Sequence, residues 1–374
     1  MAMIRGGEPK KFSRAVWVTI AAVSVLLIVG LFNLSNAAGY TGGDFHRTQM
    51  IWVVLSVLVA AAVTFTDMRF FQQLSPAIYW LTILLLVLVL IFGRDIKNAK
   101  RWLELGPIAL QPSEFVKPAL VLFLARFFHA ERNPERYTLR ALLRPMLYVA
   151  IPTALVMLQP DLGTSLVIIA VGFSMMFFEG IRMRSILILL GIVLLLIPLA
   201  WQLDIVQPYQ KERVRTWLAM SGAKDIKKDS DRSMQPEQAL WAVGSGRVLG
   251  KGGMQGVQSR LRYLPEMHND YILASYAEER GFVGSVFLMG LYLVLVLAML
   301  RIAVSARERF GVLVSVGAVA IIFWQVVFNV GMVIGIFPAV GLTLPFMSYG
   351  GSSQVSSMIA VGLALNAGVH RGSV

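Results

Sequence analysis

Long apolar runs separated by short polar segments dominate the sequence. A helix needs about 20 mostly apolar residues to cross a bilayer. Ten runs of this kind lie near residues 15–34, 49–66, 77–93, 113–128, 142–158, 163–179, 185–203, 271–300, 310–334 and 346–368. The pattern predicts an all-α polytopic membrane protein with about ten transmembrane helices.

The basic residues along the chain predict the orientation of these helices. The first run follows a basic segment, as in a signal peptide, but it is longer than the roughly 7–15 apolar residues that signal peptides use, so we expect an uncleaved span. With the N-terminus inside, the short cytoplasmic segments hold most of the Lys and Arg that lie outside the longest loop. Cytoplasmic loops are enriched in these residues, and an even number of spans returns the C-terminus. We therefore predict an N-in/C-in topology.

The longest polar segment, residues 204–270, lies between spans seven and eight. We predict that it is a large extracytoplasmic loop within a single membrane domain of residues 1–374. Loops of this length in compact proteins are usually functional or disordered. Residues 207–218 are expected to form an amphipathic helix at the membrane surface. Residues 223–233 are polar and expected to be mobile, whereas the apolar, glycine-rich residues 237–256 are expected to be structured.

Composition excludes several classes of protein. The chain is 57% hydrophobic and 15% charged, with a formal net charge of +13, whereas soluble domains carry about 25% charged residues. It has no cysteine, which excludes disulfides, Cys-ligated zinc and a thiol nucleophile. Its four histidines are not closely paired, which argues against a His-rich metal site. A nucleotide-binding P-loop is excluded, because Ser245 stands where the motif needs its first Gly and Gly252 where it needs Ser or Thr.

Ionisable residues near the ends of the apolar runs are the candidate functional groups, because charges are expensive to bury at membrane depth. In the fourth run Glu114 and Lys117 are three residues apart and share one helical face. Two interpretations stay open for them, a structural ion pair and the lining of a cavity. Arg101, just upstream, adds a second cation on the outer side.

Three further polar groups leave similar alternatives open. Asp161, in the short 159–164 turn, is either a helix cap or part of a polar turn that faces a cavity. Asp270, where the long loop meets the eighth run, is either a cap or a functional carboxylate, and two adjacent acids, Glu278 and Glu279, follow it. The stretch 341–357, which enters the last run, contains glycine, proline and serine, which fits close helix packing or a broken helix end lining a cavity.

These groups cluster at the outer ends of the predicted spans, so cations and carboxylates share one side of the membrane. Glycosyl transfer from a lipid pyrophosphate uses both. Its acceptor hydroxyl needs a carboxylate general base, and its departing pyrophosphate needs positive charge. Spacing alone does not distinguish this chemistry from lipid transport.

Several long motifs, in order along nearly the whole chain, resemble the SEDS family (shape, elongation, division and sporulation) of bacterial peptidoglycan polymerases. The matching stretches are RWLELGPIALQPSEFVK at 101–117, QPDLGTSL at 159–166, AVGSGRVLGKG at 242–252, LPEMHNDY at 264–271, AEERGFVG at 277–284 and GLTLPFMSYGGSS at 341–353. Residues 256–266 are more similar to the elongation member of the family, and residues 341–345 to the division member. The elongation member is the better match.

The resemblance implies that the protein polymerises lipid II into β-1,4 glycan strands during cell elongation, on the outer face of the bacterial cytoplasmic membrane. It implies that Asp270 is the catalytic general base for the acceptor hydroxyl, and that basic residues support the pyrophosphate leaving group. The residues expected to bind substrate are Glu114, Lys117, Arg101, Gln111, Ser113, Lys251, Arg213, Asp161, Ser348 and Ser352.

The expected partners are lipid II, a class B penicillin-binding protein acting as transpeptidase, and other proteins of the elongation complex, with no nucleic acid. A divalent cation, Mg²⁺ or Mn²⁺, is a candidate cofactor with Asp270 and Glu114 as candidate ligands, and no organic cofactor is expected. Two other functions stay open. One is a lipid II flippase, which should show internal repeats and a site near the bilayer midplane. The other is a non-catalytic scaffold of the wall-synthesis complex.

Overall fold

The structure is a computed structural model. It describes residues 13–41, 45–96, 99–105, 108–131, 137–203, 206–220, 234–261, 263–264 and 267–369. Ten long helices account for most of these residues: α1 (Arg14–Thr41), α2 (Phe45–Phe65), α3 (Met68–Phe92), α4 (Pro112–Ala130), α5 (Leu139–Leu158), α6 (Leu162–Gly180), α7 (Met183–Gln202), α11 (Ile272–Ser305), α12 (Arg309–Val333) and α13 (Gly351–Val369). They coincide with the ten apolar runs, so the predicted all-α polytopic fold class is confirmed.

The ten helices differ in how apolar they are and in how much of their surface is buried in the bundle. Within the described ranges, seven are long and apolar enough to cross a bilayer by length and composition. The helices α4 and α13 carry more polar residues and bury most of their side chains inside the bundle. Buried polar residues of α13 include Gln354 and Asn366. Such residues are tolerated because they face neighbouring helices rather than lipid.

The long loop between α7 and α11 contains three short helices, α8 (Pro208–Met220), α9 (Met234–Ser245) and α10 (Val257–Arg260). Helix α8 forms where the sequence predicts a surface helix. The segment expected to be structured begins within α9 and continues through glycine-rich turns. The segment expected to be mobile, 223–233, lies outside the described residues.

A small antiparallel sheet between α3 and α4 is an element that the apolar pattern does not predict. Its strands are β1 (Arg94–Ile96), β2 (Ala99–Leu105) and β3 (Ile108–Leu110), in the order β1-β2-β3. Register pairs include Arg94 with Trp102 and Leu103 with Leu110. Each strand is much shorter than a membrane span, so a search for long apolar runs passes over it. The sheet matters because β2 carries Arg101.

A kink in α11 receives the glycine-rich segment that follows α9. The kink lies at Gly281, whose φ of +66° is a left-handed conformation that favours glycine. Backbone carbonyls near the kink accept hydrogen bonds from this segment: Lys251 N donates to Glu278 O at 3.1 Å, and Gly252 N to Glu279 O at 3.0 Å. A Cβ at Gly281 would lie 2.3 Å from Gly250 N, so the two backbones can approach only because this position is glycine.

Candidate active site

A cavity of about 620 Å³ lies where the long loop meets one end of the helix bundle. It is bounded by β2, α8, residues 235–236, residues 270–271 just before α11 and the segment 335–341 that follows α12. Three residues predicted from the sequence line it: Arg101, Arg213 and Asp270. Other lining residues include Tyr209, Glu212, Trp217 and Gln235. The cavity therefore combines two guanidinium groups with carboxylates.

Arg101 is held by the turn between α5 and α6. Its Nε donates to the carbonyl of Gln159 at 3.0 Å, and its Nη2 donates to the carbonyl of Pro160. Both acceptors belong to the short polar turn that the sequence singled out. These bonds fix the guanidinium at the edge of the cavity.

Arg213 reaches the cavity from α8. Its Nη1 donates to the carbonyl of Ala339 at 2.7 Å, and Trp217 of the same helix donates through Nε1 to the carbonyl of Gly335 at 2.9 Å. The guanidinium also lies 6.0 Å from the ring centroid of Tyr209, near the limit for a cation–π contact. These contacts attach α8 to the segment after α12.

Some features of its surroundings lower the pKa of Arg213, and others raise it. Burial lowers its pKa, and the positive charge of Arg101 lowers it further, whereas the Asp270 carboxylate raises it. Arg213 keeps its positive charge because a guanidinium group is not deprotonated in proteins. The cavity therefore holds two neighbouring cations, and one of them faces the carboxylate.

Asp270 lies just before α11, and its backbone is tied to the end of α12. The Nδ2 of Asn329 donates to the Asp270 carbonyl at 3.0 Å and to the Leu342 carbonyl at 2.6 Å. A Cβ built on Gly341 would lie 3.3 Å from Asp270 Oδ2 and 3.9 Å from Arg213 Nη1. The carboxylate and the guanidinium thus flank one glycine, whose φ is +72°.

Ser348 supports the Asp270 turn from outside the cavity. Its Oγ donates to the Asn269 carbonyl at 2.7 Å and accepts a bond from Leu344 N at 2.8 Å. Nearby, Tyr349 N donates to the His268 carbonyl at 2.8 Å. The segment before α13 therefore orders the three residues that end in Asp270. A direct contact of Ser348 with substrate stays a prediction.

Four other predicted residues form a hydrogen-bonded network among the ends of α4, α6 and α13. Gln111 N donates to Ser352 Oγ at 3.0 Å, and Gln111 Nε2 donates to Ser113 Oγ at 3.2 Å and to Asp161 Oδ2 at 3.3 Å. Asp161 also caps α6 by accepting from Thr164 N at 3.2 Å. The network adjoins the turn that holds Arg101, but its side chains do not line the described cavity. Their substrate contacts stay predictions.

Glu114 and Lys117 form a buried ion pair in the first turns of α4. The Nζ–Oε2 distance is 2.8 Å, and the two side chains are 6% and 0% exposed. Neither lines the described part of the cavity. Their geometry matches the ion-pair interpretation, and their role towards substrate stays a prediction.

Lys251 lies in a different cluster, at the α11 kink. Its Nζ contacts Glu278 Oε1 at 2.7 Å and Ser245 Oγ at 2.7 Å. Glu278 also accepts from Gln258 N at 3.0 Å and from Ser259 N at 3.3 Å. These bonds hold the glycine-rich segment on α11. A substrate contact of Lys251 stays a prediction.

Sequence reasoning missed several residues of the site. Asn329 is the clearest case, because an amide near the end of an apolar run is a recognisable signal. Tyr209 and Trp217 belong to the helix predicted at the membrane surface, and the structure places both in the cavity lining. Gly341 has no chemical signature of its own, and its importance follows from what surrounds it.

The described residues offer few ligands for a metal ion. Among them, no group of three or more His, Asp or Glu side chains is close enough to hold a metal ion. Of the two candidate ligands, Asp270 lies beside Arg213 and Glu114 is paired with Lys117. These side chains do not build a metal site by themselves.

Fold and site together define a polytopic helical membrane protein with a charged cavity under a long loop. Comparison with known families then identifies the class. The family model of the FtsW/RodA/SpoVE cell cycle proteins matches residues 11–372, so the chain belongs to this family, which is the SEDS family that the motifs predict.

Two relatives carry names that describe an activity. Peptidoglycan glycosyltransferase MrdB of Escherichia coli K12 is 35% identical over 347 residues, which cover 92% of this chain and 91% of MrdB. A probable peptidoglycan glycosyltransferase FtsW of Thiomicrospira cyclica is 36% identical over 360 residues, which cover 92% of this chain and 89% of that protein. The similarity thus extends to relatives named MrdB and FtsW alike.

Two solved structures share the fold. The rod shape determining protein RodA of Thermus thermophilus matches with a TM-score of 0.71 at 29% identity, covering 97% of this chain and 98% of that chain. A chain of a peptidoglycan synthase complex, described as coordinating polymerization and crosslinking, matches with a TM-score of 0.80 at 30% identity, covering 96% and 98%. The SEDS fold of about ten transmembrane helices is thereby confirmed.

Proposed function

We propose that this protein, a peptidoglycan glycosyltransferase of the FtsW/RodA/SpoVE family, polymerises lipid II with Asp270 as general base. One observation carries the proposal. The Asp270 carboxylate and the Arg213 guanidinium flank Gly341 in a cavity of about 620 Å³ that Arg101 also lines. A carboxylate beside two cations is what glycosyl transfer from a pyrophosphate requires.

In the proposed reaction Asp270 accepts the proton of the 4-hydroxyl of the acceptor sugar. The acceptor oxygen forms a bond to the anomeric carbon of the donor, and the bond from this carbon to the pyrophosphate oxygen breaks. The electron pair of that bond leaves with undecaprenyl pyrophosphate. Attack from the opposite face inverts the anomeric centre and gives a β-1,4 linkage.

The two arginines would stabilise the leaving group. Negative charge develops on the pyrophosphate as the bond breaks, and donors already held in place stabilise it without reorganisation. Arg101 is fixed by the carbonyls of Gln159 and Pro160, and Arg213 by the carbonyl of Ala339. Planar guanidinium groups suit phosphate oxygens because they donate two parallel hydrogen bonds.

Two further elements belong to the proposal. The cavity faces the extracytoplasmic side of the bacterial cell membrane, as the distribution of basic residues indicates under an N-in/C-in topology. The partner is a class B penicillin-binding protein in the elongation complex. The similarity to a chain of a polymerizing and crosslinking synthase complex supports this choice.

The experiment uses purified protein in detergent micelles, fluorescent lipid II and the transpeptidase partner, with glycan products separated on gels. A micelle has no second leaflet, so transport across a bilayer cannot create product there. We expect glycan strands. Unchanged lipid II, together with transfer of lipid II across liposomes holding the same protein, would favour a flippase. A third outcome is that the protein neither makes glycan in micelles nor transfers lipid II across liposomes, although its partner still needs it for assembly. This outcome would favour a scaffold. Added Mg²⁺ or Mn²⁺ tests the candidate divalent cofactor in the same assay.

A further inference from the structure

A second cavity, of about 550 Å³, lies at the end of the bundle opposite the candidate active site. Its lining includes Arg69, Gln72 and Gln73 of α3, Arg126 and His129 of α4, and Glu308 just before α12. Helix α12 runs from this cavity to the candidate active site, which Met332 near its other end lines. The cavity is therefore separate from the site described above and faces the other membrane surface.

Arg126 is held in this cavity by a backbone carbonyl that a proline in the neighbouring helix leaves free. Pro76 lies inside α3 and has no N–H to donate to the carbonyl four residues earlier, at Gln72. Arg126 Nη1 donates to the carbonyls of Gln72 and Gln73, both at 2.8 Å, and Ser75 Oγ donates to Gln72 O at 3.1 Å. The side chain of Arg126 is thus held across two helices. Its Nε and Nη2 have no hydrogen-bond partner within the described ranges.

The other lining residues make the cavity favourable for an anion. Arg69 is exposed, and its guanidinium is unpaired in the part of the chain that the structure describes. His129 has a buried Nδ1 without a hydrogen-bond partner among the described residues. Glu308 is the one acid among the described lining residues, against two arginines. A single acid does not neutralise this set.

The membrane setting indicates which anion can reach the cavity. It lies at helix ends, where lipid headgroups surround a membrane protein. On α3, Phe70 and Leu74 are 52% and 37% exposed and lie one turn apart beside the lining residues. This apolar strip can contact acyl chains while the cavity contacts the headgroup. Basic pockets between transmembrane helices on the cytoplasmic side are known to suit anionic headgroups.

We propose that this cavity binds the phosphate of an anionic phospholipid headgroup from the cytoplasmic leaflet, with Arg126 and Arg69 as its donors. Charge-assisted bonds from guanidinium groups to phosphate oxygens are short and strong. A zwitterionic headgroup fits less well because its cationic group would lie near Arg69. This site is independent of the polymerase chemistry proposed above.

Native mass spectrometry of the full-length protein in micelles tests the proposal, with dioleoyl phosphatidylglycerol and dioleoyl phosphatidylcholine as probes. We expect tighter binding of phosphatidylglycerol. Arg69→Gln should weaken it about fivefold, the effect of losing one basic residue near an anionic lipid. Arg140→Gln is the matched control: Arg140 is exposed at the same end of the bundle, at the start of α5, and does not line the cavity. This control should bind like wild type.

Three results would overturn the proposal. One is equal affinity for the two lipids. Another is an Arg69→Gln variant that binds phosphatidylglycerol as well as Arg140→Gln does. The third is that millimolar inorganic phosphate displaces the bound lipid and raises the melting temperature of the protein as much as the lipid does. This result would assign the cavity to a free phosphate. None of these measurements uses lipid II, so their outcome does not depend on the proposed polymerase activity.

Discussion

Asn329, near the end of α12, holds the backbone of Asp270: its Nδ2 donates to the Asp270 carbonyl at 3.0 Å. The same nitrogen donates to the Leu342 carbonyl at 2.6 Å, so one buried amide connects the turn before α11 with the segment before α13. The proposed base is therefore positioned by a residue that does not contact substrate. This arrangement accounts for the buried amide of Asn329 in a largely apolar helix.

Replacing Asn329 should impair catalysis by releasing that turn. Asn329→Leu removes both hydrogen bonds and leaves two carbonyls without their donor. A displacement of the base by about 1 Å can lower the rate up to about 100-fold. Initial rates of glycan formation at saturating lipid II measure the effect, and we expect kcat to fall more than KM rises.

Gln325, one turn earlier in α12, provides the matched control for Asn329. It is also fully buried, and neither its Oε1 nor its Nε2 has a hydrogen-bond partner among the described residues. Gln325→Leu should keep the activity and leave the melting temperature unchanged or higher, because it removes an unsatisfied polar group. Equal losses of activity in the two variants would contradict a positioning role for Asn329.

Gly341→Ala should inactivate the enzyme by crowding the carboxylate. The added Cβ would lie 3.3 Å from Asp270 Oδ2, and the φ of +72° strains any residue with a Cβ. Gly252→Ala is the control, since Gly252 has a φ of +93° and its added Cβ would meet nothing closer than 3.8 Å. Both variants should lose about 1 kcal/mol of stability from backbone strain. Only Gly341→Ala should lose glycan synthesis, and an active Gly341→Ala would contradict the crowded geometry.

The contributions of Lys251 and Glu278 to the free energy of unfolding should depend on each other. Lys251→Met leaves the buried Glu278 carboxylate without its cation and should lower the melting temperature. The loss is roughly 1–3 kcal/mol, below that of a fully buried pair, because the Lys251 side chain is 26% exposed. The double variant Lys251→Met/Glu278→Gln should lose less than the sum of the two single variants. Additive losses would show that the two residues do not depend on each other.

Variants of Glu114 and Lys117 show whether this ion pair serves only the stability of the fold or also the binding of substrate. Breaking a buried ion pair from one side costs roughly 3–5 kcal/mol, so each single variant, Glu114→Gln or Lys117→Met, should melt much earlier than wild type. Replacing both together should restore most of the stability, which thermal unfolding in detergent measures. The SEDS resemblance predicts that this stable double variant makes no glycan. Full activity of the double variant would make the pair purely structural.

The sequence predicts the fold because apolar runs of the right length leave few alternatives in a membrane. It does not predict the β1–β3 sheet, whose strands are short and depend on one another for their hydrogen bonds. For the site, chemistry and motifs pointed to Arg101, Arg213 and Asp270, and the structure brings these three to one cavity.

The remaining relationships depend on contacts between distant segments. The partnership of Lys251 with Glu278 spans 27 residues and forms only because α11 kinks where the glycine-rich segment packs. The contact of Asn329 with Asp270 spans 59 residues and requires α12 to end beside the start of α11. No local pattern in the sequence carries this information.

The most direct test of the account is the rate of glycan synthesis by Asp270→Asn, compared with wild type and with Glu212→Gln. Glu212 is the matched control because it is another carboxylate of the same cavity lining. Purified protein, fluorescent lipid II and the transpeptidase partner are used, and each variant is checked by its melting temperature. We predict that Asp270→Asn folds normally and loses about 10²–10⁴-fold in rate, as expected for a missing general base, while Glu212→Gln stays active. A folded Asp270→Asn variant that makes glycan at the wild-type rate would contradict the central claim.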